Sequence, residues 1–241
     1  MQQNITLHKM HTSLDNNNLA HYQLDSIEIN NLIGKNISME FTGKITCQGC
    51  NNIIKKCYQP GFCFLCTQRL ACCDLCIVKP QLCHYHKGTC REPQWGEQNC
   101  MQPHIVYLAN SSGVKVGITK VKNIPHRWID QGAIQALPIF EVPIRLNSGQ
   151  IEIILSQFVA DRTNWRQMLK GDIHQIDLIE KRDELLDQAD YELQKLSSEV
   201  IDLKNLNYLD NETPIDINYP VLEYPVKVTS LNFDKQPIIT G

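Results

Sequence analysis

Two Cys-x-x-Cys turns, Cys47-x2-Cys50 and Cys63-x2-Cys66, with twelve residues between them, constrain this chain more than any other feature. A Cys-x-x-Cys turn brings two thiolates to one ion at about 2.3 Å each, and two such turns close a tetrahedral structural site. The spacing is close to that of a zinc ribbon. A second set follows: Cys73-x2-Cys76, then Cys83, His84, His86, Cys90 and Cys100. It holds more ligands than one tetrahedral ion needs, so spacing alone does not single out four. The expected cofactor is structural Zn2+, one or two ions, on Cys47, Cys50, Cys63, Cys66, Cys73, Cys76, Cys83, Cys90 and Cys100. An iron–sulfur cluster also takes four thiolates, but paired knuckles are the habitual geometry of zinc. Cys57 and Cys72 are left over. Disulfides are not expected, because Met1 to Leu19 is polar and lacks the apolar run of a secretory signal.

No segment approaches about 18 consecutive apolar residues, so no membrane span is expected. The reading is a soluble protein of a reducing, cytoplasmic compartment. The formal charge of −3 hides an asymmetry. From Phe41 to Trp128 eleven Lys and Arg face three Asp and Glu, whereas from Asp130 to Gly241 ten face nineteen. A basic tract beside metal knuckles suits a phosphate backbone. Its counter-charge could equally be the acidic C-terminal part.

The pattern divides the chain into five parts: a β segment over 1–46, the Cys-rich module over 47–101, a mixed domain over 102–171, an amphipathic helix over 172–209 and a β segment over 210–241. Ser26 to Asn30 and Ile37 to Phe41 read as strands with Gly34 and Asn36 between them. His104 to Ala109 and Val114 to Thr119 read as a hairpin turned at Asn110-Ser-Ser-Gly113. Asn123 can cap a helix with Pro125 in its first turn and Gly132 at its end. Ala136 to Arg145 is a third strand, Asn147-Ser-Gly149 a break, Gln150 to Ala160 a buried helix, and Asp161 to Leu169 a shorter one. From Ile176 to Leu206 the spacing of Leu186, Ala189, Leu193, Leu196, Val200 and Leu203 predicts a long helix packed on its own domain, with dimerisation or a protein partner as the alternative. The tail from Tyr219 to Thr240, including Val226 to Leu231, reads as strands. Ile238 to Gly241 lacks an evident strand partner, so the chain is expected to be shortened at its C-terminus.

The ββαβαα segment resembles the GIY-YIG endonuclease superfamily in its divergent members, through Val106-Tyr-Leu108, Lys115-Val-Gly-Ile-Thr119, Arg127 and Glu152. That resemblance implies a water-activating phenol at Tyr107, a phosphate clamp at Arg127, and Glu152 as ligand to a catalytic Mg2+ or Mn2+. Gly117 would admit close backbone approach, with Thr119 beside it. The chemistry is coherent: a cation and a guanidinium neutralise phosphate charge while a polarised water attacks. The chain departs from the pattern at Ile105, where Gly is expected, and at Lys115, where Tyr is expected. Lys115 still suits a phosphate-binding surface, with Lys120, Lys122 and Arg127.

Gly61-Phe-Cys-Phe-Leu-Cys66, Cys73-Asp-Leu-Cys76, Gly88-Thr-Cys-Arg91, Arg127-Trp-Ile-Asp-Gln-Gly-Ala133 and Asp161-Arg-Thr-Asn-Trp165 extend the resemblance. With Cys83-His84 and the strand motifs, they are similar to an uncharacterised prokaryotic family, domain of unknown function 2797, over roughly Gly34 to Gly171. The implied fold class is α+β: a small β and zinc-knuckle module, a GIY-YIG-like ββαβαα domain, a long amphipathic helix and C-terminal strands. Trp128 is read as core, with base stacking as the alternative. Asp161, Arg162, Asn164 and Arg166 could finish a phosphate site, with Asp161 and Asn164 equally suited to capping.

Three functions stay open at this point. One is a zinc-stabilised nucleic-acid-binding protein with metal-dependent phosphodiesterase activity. The second is a non-catalytic RNA-binding or ribosome-associated factor, which Lys115 favours. The third is a protein-interaction adaptor docking through residues 176–206. The sequence does not choose between RNA and DNA. No Ser/His/Asp set, Gly-rich phosphate loop or dinucleotide fingerprint points elsewhere.

Overall fold

The computed structural model describes residues 4–159, 164–200, 203–204 and 206–241. The chain mixes helix and strand. β1 (His11–Leu14), β2 (Ala20–Leu24) and β3 (Ile27–Glu28) form a three-stranded antiparallel sheet, and β4 (Ser38–Glu40) stands apart from it. β5 (Ile45–Thr46) and β6 (Ile53–Ile54) form the small hairpin that leads into Cys47, ahead of α1 (Phe64–Arg69), four 3-10 turns and α2 (Pro93–Asn99). Next come β7 (His104–Asn110), β8 (Val114–Lys120), α3 (His126–Asp130), β9 (Gln135–Val142), α4 (Arg145–Leu155), α5 (Trp165–Leu169) and α6 (Leu178–Glu199). The short strands β10 (Asn207–Tyr208), β11 (Ile215–Asp216) and β12 (Ile238–Thr240) close the chain.

β7 organises the main sheet. Its partners are β8 on one edge and β9 on the other, both antiparallel, and all seven of its residues are buried. Successive strand residues face opposite sides, so this strand must serve two cores. Val106 and Leu108 join Leu137, Ile151, Leu155, Leu178 and Leu185 on the side covered by α4 and α6. Ile105, Tyr107 and Ala109 join Trp128, Ile129 and Ala20 on the side covered by α3 and the N-terminal hairpin. Each such large apolar side chain contributes about 1.5–3 kcal/mol on burial, which is why β7 reads as a continuous apolar run. β10 and β11 extend the sheet beyond β9.

Several expectations change. The helix expected from Gln150 begins at Arg145, and Asn147, Ser148 and Gly149 lie buried inside it. The Ser148 hydroxyl donates to the Arg145 carbonyl at 2.7 Å. A Cβ on Gly149 would meet Pro80 Cβ at 2.4 Å and Gln81 N at 3.0 Å. The Asn-Ser-Gly triplet is therefore the seam where α4 meets the Cys-rich module, and small residues permit that approach. The strand expected over Ser26 to Asn30 shortens to β3, because Asn30 turns inward to accept from Tyr22 N at 2.9 Å and to donate to the Ala20 carbonyl at 3.0 Å. The β1–β2 hairpin was not legible from alternation. Val226 to Leu231 forms no strand, and Val226 is 88% exposed. Ile238 to Thr240 does have a partner, β4.

The long helix is Leu178–Glu199, capped by the Asp177 carboxylate, which accepts from Ile179 N and Glu180 N. Its apolar stripe, including Leu185, Leu186, Ala189, Leu193 and Leu196, packs on the chain's own core. Asp161 and Arg162 lie outside the described residues, while Asn164 caps α5 by accepting from Gln167 N at 3.2 Å. Among the described residues no helix is long and apolar enough to cross a membrane.

His104 opens β7 fully buried, its Nδ1 bonded to the Gln102 carbonyl at 2.7 Å and its Nε2 without a partner among the described residues. Burial pulls its pKa down to about 4, helped by Arg145 and Lys120. A histidine that titrates lower folded than unfolded leaves stability whole above about pH 6.5 and lost as pH falls toward 4. His104→Phe should flatten that slope, removing on the order of 2–3 kcal/mol of the difference in urea stability between about pH 7 and 4. Gly149→Ala should destabilise by about 1–3 kcal/mol through overpacking against Pro80, although the same change in an open helix gains about 1 kcal/mol; urea unfolding reads the sign.

Candidate metal centre and the Tyr107 cluster

The β5–β6 hairpin delivers the first thiol pair and the start of α1 the second. Cys47 N donates to the Asn52 carbonyl at 2.9 Å, and Asn51, at φ +58°, donates from its N to the Cys47 carbonyl at 2.8 Å, which closes the knuckle. Gln48 N donates to the Gly61 carbonyl at 2.8 Å and ties this knuckle to the next. The Sγ atoms of Cys47, Cys50, Cys63 and Cys66 all lie within 4.8 Å of one another, and Cys50 and Cys63 are 3.9 Å apart. Ligands at about 2.3 Å from a tetrahedral ion stand about 3.8 Å from each other. A single ion fits this cage. A cluster in which each iron takes its own thiolate needs a wider frame.

The electrostatics agree. Cys63 N donates to Cys47 Sγ at 3.2 Å. Together with the N–H groups of Cys50 and Gly49, that bond holds the Cys47 thiol down at about 6 against the effect of burial. Burial pushes Cys66 up, as do its bonds to Cys63, Cys47 and Cys50. Thiols this close cannot all ionise alone, but a divalent cation draws every one to thiolate. All eleven cysteines are free thiols.

The second set divides in space. Cys73 lies beside Cys72, Sγ to Sγ 3.9 Å, and its thiol is raised to about 11 by burial first and by Cys72 next, with Cys47 adding to the rise. Cys73 is in neither group of possible ligands. Cys76, Cys83, Cys90 and Cys100 instead line one small cavity of about 20 Å³, enough for a single ion or water. Asp74, Cys76 and His84 also approach as a group. Asp74, however, is paired with Arg91 at 2.6 Å and faces His84 Nε2 at 3.5 Å, while His84 Nδ1 meets Thr89 Oγ1 at 2.8 Å. Those polar contacts engage Asp74 and His84, which line the cavity together with the four thiols. Arg145 joins the module to α4, donating from Nη2 to the Ile77 carbonyl at 2.6 Å and from its backbone N to the Cys100 carbonyl at 2.8 Å. His86 is in neither group of possible ligands, and Cys57 is exposed.

A separate polar cluster forms around Tyr107. β7 and β8 place Tyr107 opposite Gly117, and a Cβ on Gly117 would meet Tyr107 Cζ at 2.6 Å. The phenol lies flat on that glycine with its residue wholly buried, edge-on to Trp128 at 6.0 Å between ring centroids. Its hydroxyl is 3.1 Å from the Gln131 amide. With the amide oxygen turned to the guanidinium, Gln131 accepts from Arg127 Nε and Nη2 at 3.0 and 3.1 Å, and its nitrogen donates to the phenol. Burial raises Tyr107 to about 12; Arg127 and Gln131 oppose the rise and Glu152 adds to it. Tyr107, Gly117 and Arg127 thus meet, with Gln131 as the bridge between the phenol and the guanidinium.

Cross-strand register puts Lys115 on the same sheet face, opposite Ala109. Lys120 instead donates to Asn99 Oδ1 at 2.8 Å. Lys122 is exposed beyond the end of β8, and Asp130 pairs with Lys9 at 2.5 Å. Trp128 is core.

The family described as a protein of unknown function (DUF2797) matches residues 34–241. No curated protein and no solved structure matches the chain. Cys63→Ser should lower the protein's bound zinc by about one ion per chain, and Cys57→Ser should leave it unchanged; elemental analysis after desalting reads both.

Proposed function

The chain belongs to the DUF2797 family, and we propose that it is a zinc-stabilised nucleic-acid-binding protein whose GIY-YIG-like ββαβαα domain holds phosphate without cutting it. The observation that carries this reading is the state of Tyr107. A phenol that activates water must touch water, and this one is wholly buried, bonded to Gln131 and raised to about 12. Arg127 beside it is exposed and aligned by Gln131, which suits a guanidinium fork meeting phosphate oxygens. Lys115, on the same sheet face, adds a second cation where the resemblance expects a phenol. Zinc in the Cys47, Cys50, Cys63, Cys66 cage supplies the module's rigidity, and the cavity of Cys76, Cys83, Cys90 and Cys100 is the place for a second ion.

A second reading, a Mg2+- or Mn2+-dependent phosphodiesterase, is supported by Glu152, whose carboxylate is near enough to raise Tyr107. Labelled structured RNA, single-stranded RNA and single-stranded DNA, incubated with the zinc-loaded protein and either metal, separate the two. The expected result is binding that weakens steeply with salt, no cleavage, and a loss of roughly 5- to 30-fold in affinity for Arg127→Ala. Cleavage that disappears in both Glu152→Gln and Tyr107→Phe would establish the phosphodiesterase instead.

A further inference from the structure

The outer side of the first knuckle is unlike the rest of the module. An open groove of about 760 Å³ runs between β6, the loop that follows it and α1. Its walls include Ile53, Tyr58, Phe64 and Leu65, which are 69%, 55%, 53% and 60% exposed. The Tyr58 and Phe64 rings meet edge to face at 5.3 Å and 62°, and Lys56 Nζ lies 4.9 Å from the Tyr58 ring centroid. A module with this little core would gain by burying those side chains; a contiguous exposed set marks a binding face.

Charge narrows the occupant. The charged wall is Lys55, Lys56 and Arg69, all exposed, with Asn52 beside them, and among the described residues no acidic one lines the groove. From Phe41 to Cys73 the chain carries four Lys and Arg and no Asp or Glu. Four thiolates on a divalent ion leave about two negative charges on the cage, so the face stays net positive. It therefore fits a ligand that is both polyanionic and rich in flat π surfaces with at least one face free. Bases in a duplex hide both faces, whereas a single strand presents them.

Resting on the nucleic-acid reading above and deepening it, we propose that this knuckle face is a stacking platform for single-stranded nucleic acid. Tyr58 and Phe64 lie under successive bases, Leu65 and Ile53 flank them, and Lys55, Lys56 and Arg69 follow the backbone. Base stacking on exposed rings tolerates any sequence, so the platform adds affinity without base preference. Neither Arg127 nor Lys115 lines it.

Fluorescence anisotropy of short labelled oligo-U and oligo-dT with the full-length, zinc-loaded protein tests this. Phe64→Ala and Tyr58→Ala, both at exposed positions, should each weaken binding roughly tenfold or more with zinc content and melting temperature unchanged. Lys56→Gln should lower the salt slope by about one ion, and a duplex of the same length should bind markedly more weakly. If both ring variants bind like the parent while Arg127→Ala does not, the platform is overturned and nucleic-acid binding stands. If the parent protein binds no nucleic acid at all, both readings fail. Ring-dependent binding of polyglutamate in place of the oligonucleotides would give the face to an acidic peptide and overturn the proposal.

Discussion

Four thiols held close enough to share one ion are the constraint on which the Cys-rich module rests. Its regular structure amounts to two-residue strands, a six-residue helix, 3-10 turns and a seven-residue helix, none long enough to stand alone. Its buried hydrophobic residues are few, and most of them are cysteines. A module of this size without much core needs an ion as its centre. The backbone N–H groups that hold Cys47 down at about 6 prepare the site for a cation. The module then docks on α4 through Gly149 and Arg145, so the order of the knuckles and the order of the sheet domain are coupled.

The sheet domain rests on a different constraint, a central strand buried on both faces. Because β7 alternates between two cores, the α4–α6 layer and the α3 layer are both required to cover it. Tyr107 shows the consequence for function. Its position in the strand and the missing Cβ at Gly117 allow the ring to lie against β8, and the same packing shuts its hydroxyl away from water.

How much of the site was legible depended on the range of the interaction. The cage of Cys47, Cys50, Cys63 and Cys66 was written in two i, i+3 spacings, since each knuckle is a local turn. The β7–β8 hairpin was equally plain from its turn residues and alternation. The division of Cys73 from Cys76 was not: both belong to a Cys-x-x-Cys spacing, but successive 3-10 turns, Ala71–Cys73 and Leu75–Ile77, send them to different neighbours. The spacing of Arg127 and Gln131 put them within reach on adjacent turns, but only the packing of α3 on β7 makes Gln131 the bridge between Arg127 and Tyr107.

By itself, the sequence determined the features that local geometry dictates: Cys-x-x-Cys knuckles, a hairpin, a long helix, and a basic middle followed by an acidic end. Tertiary structure alone decided which residues became neighbours across long separations. It placed Asn147-Ser-Gly149 inside a helix, because Pro80 presses against Gly149; it left Val226 to Leu231 without a sheet; and it gave Ile238 to Thr240 a partner two hundred residues earlier, at β4. The physical reason is that turn and spacing preferences act within a few residues, whereas close packing and strand pairing are settled only when distant segments compete for the same surface.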